Sequence, residues 1–229
     1  VLNKVEGGAF ADDLFFRYGS QDKYSVFSTA VAPLAAAIGL DATFFLLYLV
    51  SNALLLLAMQ RLVRALLKDR VISTLAALYV AVAPMAFGGL GIFHVNEDFL
   101  TPRILADALT LFALERALRG RYKTSLALAA GGCLFHPLMA VGGLLTVAAL
   151  WAWARLPRRV VFGLAAAVAL ASAAVLAVPP LGYVAFGRMD AVWLGRVRIV
   201  SAYNFPLEWE AADWVQLAVS VAAVAASAW

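Results

Sequence analysis

The chain has 229 residues, 64% of them hydrophobic and 14% charged, with a formal net charge of +4. Soluble domains carry about half apolar residues and about a quarter charged ones, so a fold surrounded wholly by water is excluded and part of the solvent must be lipid. The basic residues fall mostly in short loops between apolar runs, where membrane topology accounts for them, so they are no nucleic-acid signal.

Residues 1–23 are polar and lack the charged, apolar and small-residue pattern of a secretory signal. The chain starts at Val1 and stops at Trp229 inside an apolar run, and both ends read as cuts in a longer protein. Residues 24–40 are moderately apolar and broken by Pro33 and Gly39, which suits an interfacial helix within an external loop spanning 1–42. The first membrane span is expected at 43–60, followed by the basic loop Arg61, Arg64, Lys68 and Arg70. A second span is expected at 71–90, then a polar loop at 91–101 with His94, Asn96, Glu97 and Asp98.

A shorter helix is expected at 104–118, with Thr101 as N-cap and Pro102 in the first helical position. It ends at a second basic loop, Arg116, Arg119, Arg121 and Lys123. The apolar stretch 124–154 is too long for one ordinary span and has basic loops at both ends, so it must turn back, at Gly131, Gly132, His136 and Pro137. Two short helices, 124–135 and 138–154, follow. A further span is expected at 160–178, a mixed external loop at 179–212, and a last, truncated span from Asp213. The expected fold is thus an all-α, polytopic transmembrane helical bundle, its core at 43–178 with short broken helices at 102–154. Cys133, the one cysteine, cannot form an intrachain disulfide and reads as a small buried hydrophobe.

Short basic loops belong in the cytoplasm, which places 61–70, 115–123 and 155–159 inside. Alternation puts 1–42, 91–101, the turn at 136–137 and 181–212 outside, although Arg188, Arg196 and Arg198 then also fall outside. Both histidines and most acids share that outer face.

Four groups there have chemical potential. Asp12 and Asp13 are adjacent carboxylates flanked by aromatics; on an extended chain they point opposite ways, so one of them would face a cavity as general base or as ligand to a hard cation. The plainer alternative is a solvated acidic pair. His94, Glu97 and Asp98 add imidazole and oxygen donors that, with Asp13, would complete a divalent-cation site, or are ordinary loop polarity. Arg103 sits in the first turn of an outward-facing helix N-terminus, where a planar guanidinium and free amides suit a phosphate; alternatively it pairs with Asp107 one turn on. His136 lies inside an apolar stretch and is either a substrate contact or a histidine bonded to nearby backbone. The late-loop residues Arg188, Arg196, Arg198, Tyr203 and Trp209 read better as an interfacial belt than as a sugar contact. There is no P-loop and no Gly-x-Ser-x-Gly elbow.

The acidic pair Asp12-Asp13, the external loop Asn96-Glu97-Asp98 leading into Thr101-Pro102-Arg103, and the short helices with the Phe135-His136-Pro137-Leu138 turn resemble the GT-C superfamily of integral membrane glycosyltransferases. The resemblance covers about residues 1–180; the first membrane helix expected before the acidic loop and a C-terminal soluble domain are not in this sequence. It implies inverting transfer of a sugar from a polyprenyl-phosphate donor, on the external or periplasmic face of a bacterial inner membrane. Asp12 or Asp13 would activate the acceptor hydroxyl. Glu97 and Asp98 would assist or bind a magnesium or manganese ion, and Arg103 would hold the donor phosphate. A transporter or flippase, or a non-catalytic membrane subunit, are the competing readings. The absence of an internal repeat and the gathering of polar residues at one surface count against transport.

Overall fold

The structure is a computed structural model and describes residues 1–10, 12–13, 24–82, 86–87, 89–91, 93–95, 97–178 and 190–227. Among these the chain is helical apart from one two-residue strand pair. The helices are α1 (Leu2–Val5), α2 (Phe27–Ile38), α3 (Leu40–Leu67), α4 (Arg70–Val82), α5 (Pro102–Leu118), α6 (Tyr122–Phe135), α7 (Pro137–Arg155), α8 (Arg158–Ala177), α9 (Ala191–Val200) and α10 (Ala211–Ser227). Strands β1 (Ala86–Phe87) and β2 (Phe93–His94) pair antiparallel, Ala86 opposite His94.

Among the described residues, three helices are long and apolar enough to cross a membrane: α3, α7 and residues Arg158–Val175 of α8. No residue in the apolar window of α8 is buried, and only 11% of that of α7 is. Leucines, valines and phenylalanines that point away from the fold in such numbers would be costly in water and cost nothing in hydrocarbon. The span expected at 43–60 extends to Leu40–Leu67, because Arg, Leu and Ala continue the helix past Gln60 and only Lys68, in the left-handed region at φ 57°, ends it. Asp69 then starts α4, its Oδ1 accepting from the Ile72 amide at 2.9 Å. Gln60 Nε2 donates to Thr74 Oγ1 at 3.0 Å and ties the two helices together.

The chain divides into two compact units, 1–83 with 96–155, and 84–95 with 156–229. In the first, α5 is the central helix: α3, α6 and α7 all pack on it. Its contact face is built from small residues. Ala113 and Ala117 of α5, Ala129 of α6 and Val147 of α7 form the buried core, with Leu114, Tyr122, Leu128, Leu144 and Leu150 around it. Gly143 lies so close to α5 that a Cβ there would stand 2.2 Å from Thr110 Cγ2, and one at Gly132 would stand 3.3 Å from the Ala106 carbonyl oxygen. Small residues of this kind let helix backbones approach where lipid supplies no hydrophobic drive.

α6 and α7 pack against each other as a hairpin, broken only at His136. Pro137 explains the break, since it has no amide to continue α6 and fits the first position of α7. Ser25 Oγ donates to the Phe135 carbonyl at 2.6 Å and the Val26 amide to the Leu134 carbonyl at 2.9 Å, which pins the entry to α2 onto that hairpin turn.

The second unit holds the strand pair, α8, α9 and α10. The region expected as a mixed external loop at 179–212 contains a helix, α9, whose N-cap Asp190 accepts from the Trp193 amide at 2.8 Å. Trp209 Nε1 donates to the Tyr203 carbonyl at 2.8 Å and Trp209 stacks on Trp214 with ring centres 5.2 Å apart. Arg198 stands 5.6 Å over the Phe205 ring. Arg188 lies outside the described residues.

Candidate functional site

The start of α5 gathers more of the expected site than any other place. Thr101 precedes a proline and is therefore extended, at φ −126° and ψ 158°. Its hydroxyl was expected to cap α5, but it makes no cap bond to the helix. Thr101 Oγ1 instead donates to Glu97 Oε2, and both residues are buried. The other oxygen, Glu97 Oε1, meets Arg103 Nη2 at 2.7 Å. Both carboxylate oxygens of Glu97 are thus engaged, one by a hydroxyl and one by a guanidinium, in a setting where an unpaired charge would be costly. Arg103 stands within electrostatic reach of the expected Asp107 and pairs in addition with Glu97: the loop before α5 folds back over the helix start and brings that carboxylate to the guanidinium. Arg103 keeps 27% of its side chain exposed.

Asp107 and Thr110 continue the same face of α5, at the i+4 and i+7 positions from Arg103. Asp107 is half-buried and lies within electrostatic reach of both Glu97 and Arg103. Thr110 Oγ1 is buried with no hydrogen-bond partner among the described residues.

His136, at the α6–α7 turn, lies within electrostatic reach of Arg103 and Glu97. Its amide donates to the Gly132 carbonyl at 2.9 Å, and its Nδ1 accepts from the Met139 amide at 3.3 Å, so it caps α7. A ring whose Nδ1 accepts a hydrogen bond carries its proton on Nε2. Burial lowers the His136 pKa from its ordinary value and the nearby Arg103 charge lowers it further, while its own backbone bond and Glu97 act in the opposite direction. The imidazole is therefore neutral near pH 7, with Nε2–H as its donor. Beside it lies an apolar cavity of about 320 Å³ lined by Tyr24, Ser25, Phe135, His136, Pro137 and Leu138.

The remaining expected residues lie on other segments of the chain. Asp12 and Asp13 are exposed, in the segment after α1, where the Asp13 amide donates to the Phe10 carbonyl at 3.1 Å. Asp22 and Asn96 lie outside the described residues. Asp98 is exposed on the loop before α5, and His94 is exposed on β2 in the second unit. Among the described residues no group of three His, Cys, Asp or Glu side chains is placed to hold a metal ion. Glu97 has both oxygens engaged, by Thr101 and Arg103.

The far end of α5 carries a buried acid the sequence reading passed over. Glu115 is fully buried, with Arg119 Nε at 2.5 Å from one oxygen and Arg116 Nε at 3.2 Å from the other. The contacts are close but off-axis, and neither oxygen receives an aligned hydrogen bond. The signal was present: an acid next to one arginine and four residues before another, at a helix end.

No family model, no curated protein and no solved structure matches this chain. What stands is a helical protein with three helices long and apolar enough to cross a membrane, and a buried acid–arginine–hydroxyl cluster at one end of its central helix.

Proposed function

We propose that the chain belongs to a polytopic membrane glycosyltransferase of the GT-C type. It would move a sugar from a polyprenyl-phosphate donor to an acceptor at the extracytoplasmic face, in a bacterial inner membrane. The observation that carries this reading is the pairing of Glu97, Thr101 and Arg103 at the N-terminus of α5, in the same unit as the His136 turn and its apolar cavity. A guanidinium held in place by a buried carboxylate, next to an Nε2–H donor and an apolar recess, suits a molecule with a phosphate head and a hydrocarbon tail.

In this reading Glu97 and Thr101 position Arg103, and Arg103 and His136 contact the donor phosphate. The bond between the sugar anomeric carbon and the phosphate oxygen breaks while the acceptor oxygen bonds to the same carbon from the opposite side. Asp12 or Asp13 takes the acceptor's proton, and polyprenyl phosphate leaves. No step is assigned to a metal.

The test is native mass spectrometry of the full chain in mild detergent with added undecaprenyl phosphate, beside its Arg103→Ala variant. Retention by the parent and at least tenfold weaker retention by a variant with unchanged helicity supports the donor site. It also justifies transfer assays on Asp12→Asn and Asp13→Asn. Equal retention by the two, or none by the parent, overturns the reading and favours a transporter or a non-catalytic subunit.

A further inference from the structure

The opposite end of α5 carries a second, separate site. Between the end of the α5–α6 loop with the first turn of α6, residues 120–124, and the last turns of α7 lies a cavity of about 360 Å³. Arg121, Lys123 and Arg155 line it, with the rings of Tyr122 and Trp151. Among the described residues its wall holds no acid. The nearest buried acid in sequence, Glu115, is held by Arg116 and Arg119. Arg121, Lys123 and Arg155 have no ion pair among the described residues. The three cations are exposed and cluster around one cavity, so an anion placed among them relieves their mutual repulsion further than water and mobile salt do.

The level of the cavity says where that anion comes from. α7 is one of the helices long and apolar enough to cross a membrane, and Arg155 is its last residue. Trp151 and Trp153 stand in its last turns, the pattern of an aromatic belt at the boundary between hydrocarbon and head groups. Tyr122 packs against the α5–α6–α7 core, which fixes one wall of the cavity. The backbone of α6 adds donors, since no side chain caps its N-terminus at Arg121.

We infer that this cavity binds the phosphate of an anionic glycerophospholipid, with Arg121, Lys123 and Arg155 around the phosphate and Trp151 against the glycerol region. It is independent of the donor site at Arg103 and stands on the membrane character of α7 alone. Basic pockets of this kind between membrane helices bind anionic head groups through charge, at about fivefold in affinity per cation.

The full chain in detergent is titrated with phosphatidylglycerol, with phosphatidylcholine and with inorganic phosphate, and bound lipid is counted by native mass spectrometry. The expected result is retention of phosphatidylglycerol over phosphatidylcholine. Arg155→Gln should weaken it by about fivefold, and Arg121→Gln/Lys123→Gln/Arg155→Gln should abolish the preference. Arg103→Ala should leave it unchanged, which separates this site from the donor site. Equal binding of the two lipids, an unchanged preference in Arg155→Gln, or displacement of the lipid by an equal concentration of inorganic phosphate overturns the inference. If the triple variant fails to fold, the parent's lipid preference and the Arg155→Gln titration decide.

Discussion

At the start of α5, Glu97 takes one arginine and one hydroxyl; at its end, Glu115 takes two arginines. The two acids are 7% and 0% exposed, so each is a buried charge that needs partners. What differs is what surrounds them. Around Glu97 the charges nearly cancel, and the neighbours are a neutral histidine and an apolar cavity. Around Glu115 the arginines are consumed by the acid, and a further set of cations next to them is left without carboxylates. The same residue types thus build a balanced polar site at one end and a net positive one at the other. With 17 residues in α5, the two ends stand about 25 Å apart, close to the thickness of a hydrocarbon layer.

The largest effect is expected where the burial is deepest. Arg116→Ala/Arg119→Ala leaves the Glu115 carboxylate buried without a counter-charge, and the loss of stability should be on the order of 3–5 kcal/mol, read as a lower unfolding midpoint in detergent. Adding Glu115→Gln to that variant should recover most of it, because the stranded charge is gone. If the double arginine variant unfolds at the parent's midpoint, Glu115 is not a paired buried charge.

A smaller effect belongs to the other end. The His136 pKa lies below its ordinary value of 6.5 in the folded chain. The unfolded chain therefore takes up a proton first as pH falls, and stability present above pH 6.5 is lost as pH falls through the folded pKa. A series of unfolding midpoints between neutral and mildly acidic pH should show this decline in the parent and a shallower one in His136→Gln. Parallel curves would mean that the ring is not held neutral by burial and Arg103.

The sequence was most legible where single residues act on the backbone they belong to. Pro137 located the α6–α7 break, Pro102 the start of α5, and the continuous apolar runs located α3, α7 and α8, with ends displaced by a few residues because fraying and left-handed caps carry little signal. It was least legible where a partner comes from outside the helix. Helix periodicity points from Arg103 to Asp107, which lies within its electrostatic reach, but gives no sign of Glu97, which precedes the helix on a loop whose fold has no period. Thr101 has the right side chain for a cap, but its hydroxyl bonds to the buried acid instead. The sequence of α9 looks like loop because its polar and apolar residues are mixed, and the one helix signal is Asp190 as N-cap. Asp12 and Asp13 stand out in the sequence as adjacent carboxylates flanked by aromatics, and both are exposed.

The most direct measurement is of the two ends themselves. In a Cys133→Ser background, single cysteines at Asp98→Cys and Lys123→Cys are exposed to a membrane-impermeant maleimide in intact cells and again after permeabilisation. The expected result is labelling of Asp98→Cys in intact cells and of Lys123→Cys only once the membrane is opened, which puts the Arg103 cluster and the basic cavity on opposite faces. Labelling of both positions from the same side would contradict it, and with it the assignment of a donor site and a lipid-phosphate site to opposite ends of one helix.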